Sequence, residues 1–349
     1  MLAVDTESNS LYAYHERVCL IQLSTPKRDY LVDPFPLGAM PELGKLFADP
    51  KVLKVFHAGD YDLACLKRDY GWDFRNLFDT MLAATALNEP NLGLAGMLEK
   101  YLGIKLEKKY QRANWGTRPI LPEMQAYAQA DSHFLLQLRE ALLPKLEASG
   151  RLEMVLEDST ALAYETPALK TPEEDLWRVK GVQALNPKAL SLLYHLNHLR
   201  EALAEEQDKP PFKIMGDQAL VEIAQTQPRY IQELTLLPSL PQPVLRRYGS
   251  RIMTAVADWR KKPAQVKKRR LPRLSEAELK RRDKLMEWRK NAGVKEGVPS
   301  NAIMSKELVG KLAAQEIKSL DELKTLMRHY PQRYARYAQE ILALNRKES

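Results

Sequence analysis

Two cysteines in 349 residues, Cys19 and Cys65, rule out a disulfide framework and point to a reducing, intracellular home. No apolar run is long enough to span a membrane, and acids as early as Asp5 and Glu7 exclude a signal peptide at the start. The sequence has no glycine-rich loop leading into Lys-Ser or Lys-Thr, which excludes the usual phosphate cradle of nucleotide-binding proteins. Cysteine and histidine nowhere fall at zinc spacing. His195 and His198 lie one helical turn apart but without further ligands, and read as solvated helix residues. What remains is a chain with 45% apolar residues, too long for one ordinary core. Its formal charge of +8 favours a polyanionic partner.

The other features are organised around Met1-Leu2-Ala3-Val4-Asp5-Thr6-Glu7. Leu2 and Val4 predict a strand, in which Asp5 and Glu7 project from one face. Asp is depleted in strand interiors, and two like charges side by side are costly unless something positive compensates. A divalent ion with oxygen ligands would do so. Further strands are expected over 18–23, 30–33 and 51–56, and helices over 61–70 (Asp60 as N-cap, Gly71 as stop) and 92–101 (stopped by Gly103). Residues 106–120 read as a loop, and Pro122 opens a helix that runs through Leu138.

That helix carries the second signal. Met124, Tyr127, Asp131, Leu135 and Leu138 form one stripe, with Asp131 where a core-facing helix should be apolar. Tyr127, four residues earlier, shares its face. A buried unpaired carboxylate is expensive or titrates to neutral. Asp131 therefore reads either as one end of a salt bridge or the edge of the stripe, or as a third acid aimed at the same metal. A fourth candidate lies in His57-Ala58-Gly59-Asp60-Tyr61-Asp62, at a strand-to-helix junction where open sheets place their sites. With Asp60 as the cap, Asp62 would face the sheet end.

Beyond about residue 150 the pattern is helical and repeats at an offset of 89 (289 minus 200). Leu199-Arg200 falls on Trp288-Arg289, Ile214-Met215 on Ile303-Met304, Tyr248 on Tyr337 and Ile252 on Ile341. Trp288 and Tyr248 read as core residues. Between the copies, residues 261–284 are rich in lysine and arginine, a stretch equally readable as a solvated charge run or a phosphate-contacting surface.

Taken in order, these stretches resemble the Asp-Glu-Asp-Asp exonuclease superfamily, in the branch with tyrosine in the third motif, and specifically the ribonuclease D family. The first motif appears as Asp5-Thr6-Glu7, the second as His57-Ala58-Gly59 through Asp62-Leu63, and the third as Tyr127-Ala128-Gln129-Ala130-Asp131. Leu20-Ile21-Gln22-Leu23, Phe78-Asp79-Thr80, and Trp115 with Arg118-Pro119 also resemble that family, and the repeated module resembles its HRDC (helicase-and-RNase-D C-terminal) domains. The implied fold is an α/β, ribonuclease-H-like exonuclease domain (a mixed sheet flanked by helices) followed by two all-α HRDC-like domains. The expected divisions are 1–150 for the exonuclease domain, 151–172 for a linker, 173–258 and 276–349 for the modules, and 259–275 for a basic linker between them. Relatives carry a segment before the first motif, so a start codon placed too far downstream, or a trimmed chain, is expected here.

The resemblance implies a 3′–5′ exoribonuclease releasing nucleoside 5′-monophosphates with two divalent cations about 4 Å apart. Hard oxygen ligands suit Mg²⁺ or Mn²⁺ rather than Zn²⁺. It implies that Asp5, Glu7 and Asp131 hold the ion beside the attacking water. Asp5 would also reach the second ion, with Asp62 supporting it, and Tyr127 would orient the water. Gln22, His57, Trp115 and Arg118 are expected to help line a pocket for the 3′ end, Trp115 reading equally as packing. The expected partner is an RNA 3′ end, in particular a tRNA precursor, met by a cytoplasmic monomer with no membrane attachment. Competing readings are the same chemistry on DNA, and a non-catalytic RNA-binding protein with HRDC modules.

Overall fold

The structure, a computed structural model, describes residues 1–164, 176–267 and 274–346. Five strands form one mixed sheet in the order β3-β2-β1-β4-β5, with β1 Leu2–Ser8, β2 Val18–Ser24, β3 Asp29–Val32, β4 Lys54–Phe56 and β5 Leu77–Asp79. The acid-bearing strand is thus central, antiparallel to β2 and parallel to β4. Alternation sorts its side chains. Leu2 and Val4 join Ile21, Leu23, Phe56 and Leu77 on one face, under helices α1 (Pro41–Ala48) and α2 (Asp60–Tyr70). Ala3, Val55 and Phe78 on the other face meet α3 (Thr80–Ala86), α4 (Leu94–Leu102) and α6 (Leu135–Ala148). A sheet covered on both sides tolerates near-continuous apolar strands, and every residue of β2 is buried.

Four local expectations are corrected. The helix expected over 122–138 is two, α5 (Pro122–His133) and α6, parted at Phe134. Their anchors explain the break. The end of α5 is tied to β2 and β3 through Ser132–Ser24 (2.8 Å) and His133–Asp29 (2.7 Å), whereas Leu135, Leu138 and Leu142 pack into the core shared with α3 and α4. The N-cap of α2 is Gly59, with no side-chain cap, and Asp60 is its first helical residue, where its charge meets the positive end of the helix dipole. The segment expected as a linker from 151 contains helix α7 (Leu152–Leu162), which uses two faces. Val155 joins the sheet core, and Met154 joins the core of the second helical module. The basic linker starts later than 259, because the helix Gln242–Lys261 runs on through the buried Trp259. Residues 165–172 of the first linker and 268–273 of the second lie outside the described residues.

The two modules repeat helix by helix. Helices Pro187–Glu206, Pro211–Ile214, Asp217–Thr226, Ile231–Leu234 and Gln242–Lys261 recur as Glu276–Glu296, Ser300–Ile303, Lys306–Ala313, Leu320–Leu326 and Pro331–Arg346, each start 89 residues on (276 minus 187). Buried polar contacts repeat with them. Arg200 and Arg289 donate to the carbonyls of Met215 and Met304, and the hydroxyls of Tyr248 and Tyr337 reach Gln207 and Glu296. Tyr248 is buried and Trp288 packs on its module's core. The chain divides into two compact units, one taking in Met1–Ser8, Val18–Pro167 and Arg273–Ser349, the other Asn9–Arg17 and Ala168–Pro272. The second module therefore belongs with the sheet domain. Among the described residues no helix is long and apolar enough to cross a membrane.

Candidate active site

Strand β1 presents Asp5 and Glu7 to the face across which α5 lies, and α5 brings Tyr127 and Asp131 to them. One carboxylate oxygen from each of Asp5, Glu7 and Asp131 falls within 4.8 Å of the others, and among the described residues no second group of three or more His, Cys, Asp or Glu ligands does so. Asp62, in the first turn of α2, stands outside that trio. It is buried, and its Oδ1 accepts a hydrogen bond of 2.5 Å from the Thr6 hydroxyl. Thr6 points to the opposite pleat from Asp5 and Glu7, which is how β1 reaches the helix packed on its other face.

All four acids shift the same way. Burial, then repulsion from Asp62, Asp131 and Glu7, lifts Asp5 well above the usual carboxylate range. Burial, then the charges of Asp131 and Asp62, pushes Glu7 up to about 9. Burial takes Asp62 and Asp131 to about 7, against hydrogen bonds from Thr6 and Tyr127 that favour their ionised forms. Among the described residues no lysine or arginine is one of the main groups acting on these four acids. Like charges gathered out of water without a counter-ion are unfavourable, and clustered oxygen donors are what a hard divalent cation requires. One more observation fits. Gln22 lies opposite Asp5 in the β1–β2 register, is 0% exposed, and has neither its Oε1 nor its Nε2 partnered by the protein. Buried amides are nearly always satisfied, so the space beside Asp5 suits a group that completes them.

The Tyr127 phenol is pushed well above its ordinary value by burial and by Asp131, Glu7 and Asp5, and so stays protonated. Its ring is held between Tyr110 and Trp115, at centroid distances of 6.0 and 6.1 Å. His57 follows β4; its Nδ1 lies 2.9 Å from the Thr80 hydroxyl, which itself donates to the Phe56 carbonyl. Burial lowers the His57 pKa, outweighing the charge of Asp79 and a bond to Leu92.

Two of the four expected pocket residues, Trp115 and Arg118, are placed otherwise. Trp115 is 1% exposed beneath Tyr127, so it packs and offers no face to a base. Arg118 is spent on structure, bidentate to Asp33 (2.7 and 2.8 Å), bonded to the carbonyls of Trp115 and Cys19, and stacked on Phe35. Gln22 is sealed from solvent but stands beside Asp5 with its amide unpartnered. Only His57 remains at the rim, half-buried. Thr6 was missed as a contributor. Its signal was its position between two acids on a central strand, where it must face the other layer.

The site is thus a central strand with two acids, met by one acid from each of two helices. A model of the 3′–5′ exonuclease family matches residues 1–147, and the HRDC domain model matches twice, over 189–256 and 278–344. The chain belongs to the ribonuclease D-like exonuclease family. The catalytic core of RRP6 from Trypanosoma brucei is similar at 32% identity, covering 74% of both chains with a TM-score of 0.63. The exosome complex exonuclease RRP6 of Saccharomyces cerevisiae is 35% identical over 64% of this chain. Escherichia coli RNase D, at 24% identity, shares the fold over 95% of this chain and 94% of its own, with a TM-score of 0.66. The chain spans 26% and 32% of the length of two of its curated relatives, the Caenorhabditis elegans exosome component 10 homologue and the yeast RRP6.

Proposed function

We propose that this protein is a 3′–5′ exoribonuclease that hydrolyses the terminal phosphodiester of RNA and releases nucleoside 5′-monophosphates. The observation that carries the reading is the meeting of the desolvated Asp5, Glu7 and Asp131 beside a phenol that stays protonated near neutral pH. Asp62 is near enough to repel Asp5 and Glu7, and among the described residues no lysine or arginine is one of the main groups acting on these acids. Asp5, Glu7 and Asp131 would hold one divalent ion, Mg²⁺ or Mn²⁺, and Asp5 with Asp62 a second. When bound, such ions activate a water and neutralise charge on the scissile phosphate. The chain's own groups do the remaining work. Thr6 fixes Asp62, and β1 fixes the spacing of Asp5 and Glu7. Tyr127, held protonated and donating to Asp131, would accept a hydrogen bond from the attacking water at its phenol oxygen, orienting that water and leaving proton removal to another acceptor. His57, neutral near pH 7 and held by Thr80 and Leu92, stands at the rim where its ring would border the terminal nucleotide.

We assign catalysis to residues 1–150 and the grip on RNA to the modules at 173–258 and 276–349, whose lysines and arginines suit a phosphate backbone. The relatives' names support RNA over DNA, since Escherichia coli RNase D is described as an exoribonuclease involved in structured RNA processing. Maturation of tRNA 3′ ends by a cytoplasmic monomer is the specific role we propose, and two buried cysteines that form no disulfide suit that reducing compartment. The test is incubation of the purified protein with 3′-labelled single-stranded RNA and matched DNA, in Mg²⁺ or Mn²⁺, against EDTA and Asp131→Asn. Stepwise monophosphate release that is faster on RNA and lost in both controls is expected. Preference for DNA would reassign the substrate, and binding without turnover would leave a scaffold.

A further inference from the structure

The Phe78-Asp79-Thr80 stretch ends β5, outside the acid cluster, and the proposed chemistry assigns it no part. Yet Asp79 is 1% exposed, and its carboxylate accepts four backbone hydrogen bonds. Two come from Met81 and Leu82 (2.8 and 3.1 Å) and cap α3. The other two come from Ala58 and Gly59 (3.2 and 2.8 Å), in the turn between β4 and α2. This turn has little freedom of its own. Ala58 holds φ at +58°, a left-handed conformation unusual for a residue with a side chain, and a Cβ on Gly59 would meet Phe56 at 2.6 Å. His57 lies on one side of the turn and Asp62 three residues beyond it. The neighbouring Thr80 hydroxyl holds the Phe56 carbonyl and His57 Nδ1. Asp79 is itself held, since its N–H donates to Ser159 on α7 at 3.0 Å.

We propose that Asp79 is a positioning residue of the site: its carboxylate clamps the strained Ala58-Gly59 turn, and so sets where Asp62 and His57 stand relative to Asp5. This rests on the metal-site reading above. Asp79 Oδ1 caps α3 and also takes the Ala58 N–H, whereas the Gly59 N–H is held by Oδ2, an oxygen the cap does not use. The two roles are therefore separable. In Asp79→Ser a short hydroxyl still serves as an N-cap but does not span to Ala58 and Gly59.

Calorimetric titration of the full chain with Mn²⁺, alongside thermal melting and circular dichroism, separates them. Asp79→Ser should fold and melt slightly below the parent, yet bind Mn²⁺ about tenfold or more weakly, as loss of a group orienting a metal ligand does. Its turnover should recover toward the parent's as Mn²⁺ is raised. Ser159→Ala, which loosens Asp79 from behind, should weaken Mn²⁺ binding in the same direction by a smaller factor. Unchanged Mn²⁺ affinity in a folded Asp79→Ser, with the parent binding normally, would overturn the proposal and leave Asp79 a helix cap. Absence of Mn²⁺ binding in the parent would instead overturn the metal-site reading and this inference with it.

Discussion

Glu157 and Asp158 on α7, and Asp5, Glu7, Asp62 and Asp131 at the sheet end, are all acids withdrawn from water, but only the first pair faces a cation. Arg333, 1% exposed, donates to Glu157 (3.2 Å) and Asp158 (2.6 Å), and spends its remaining N–H groups on the carbonyls of Met154, Ala302 and Ile303. Glu157 also accepts from the backbone N–H groups of Gln332 and Arg333, closing the first turn of the helix Pro331–Arg346. Burial still raises the pKa of both acids, so the arginine offsets desolvation only in part. At the sheet end hydrogen bonds from Thr6 and Tyr127 offset it in part, and among the described residues no lysine or arginine is one of the main groups acting on the acids. The difference separates structure from function: acids answered from within the chain fasten α7 to the second module, and acids left unanswered wait for something from solution.

The largest effect should come from removing one unanswered acid. Asp131→Asn should lower RNA turnover by at least about a thousandfold while leaving the metal-free protein as stable as the parent or more so, since one repelling charge is gone. Turnover and melting measured on one preparation check both halves. The answered pair should behave in reverse. Arg333→Met leaves two buried acids without a cation and should cost about 3–5 kcal/mol in denaturant unfolding, and adding Glu157→Gln and Asp158→Asn should restore much of it. If Arg333→Met melts like the parent, the comparison collapses.

A pH series sharpens it further. Groups whose folded pKa is raised add stability that is fully present below their unfolded values near 4 and lost as pH rises through the folded ones. With Asp62 and Asp131 at about 7 and Glu7 at about 9, the metal-free protein should lose stability from about pH 4 through 9. Saturating Mn²⁺ should flatten or reverse that slope, which melting curves across the range would show. The smallest effect is expected from Tyr127→Phe. It removes an orienting hydrogen bond but no ligand, so turnover should fall roughly tenfold with Mn²⁺ affinity nearly unchanged by calorimetry.

The acids of the site were legible because each breaks a pattern. Asp5 and Glu7 interrupt an apolar strand at period two, and Asp131 interrupts a helical stripe. The modules were legible because a constant offset survives divergence. What hid was tertiary. The three-residue β5 carries too short a pattern to read as a strand, and α7 looked like a linker because its two apolar faces serve two different cores. The break at Phe134 comes from anchors on β2 and β3 that periodicity does not see. Trp115 and Arg118 sit in a motif-like stretch, but their roles as packing and brace depend on Tyr127 and Asp33, far off in sequence. The Arg333 clamp had a faint signal in the repeat itself, because the matching position in the first module is Val244. A charge replacing a valine at a repeated position marks a contact that one copy makes and the other does not.

Calorimetric titration of the purified chain with Mn²⁺ near pH 7.5, alongside Asp131→Asn, tests most directly whether the unanswered acids form a metal site. Saturable binding with a stoichiometry near two, release of protons from the raised carboxylates, and severe weakening in Asp131→Asn are the predicted results. A folded parent that binds no divalent ion and releases no proton would contradict the account.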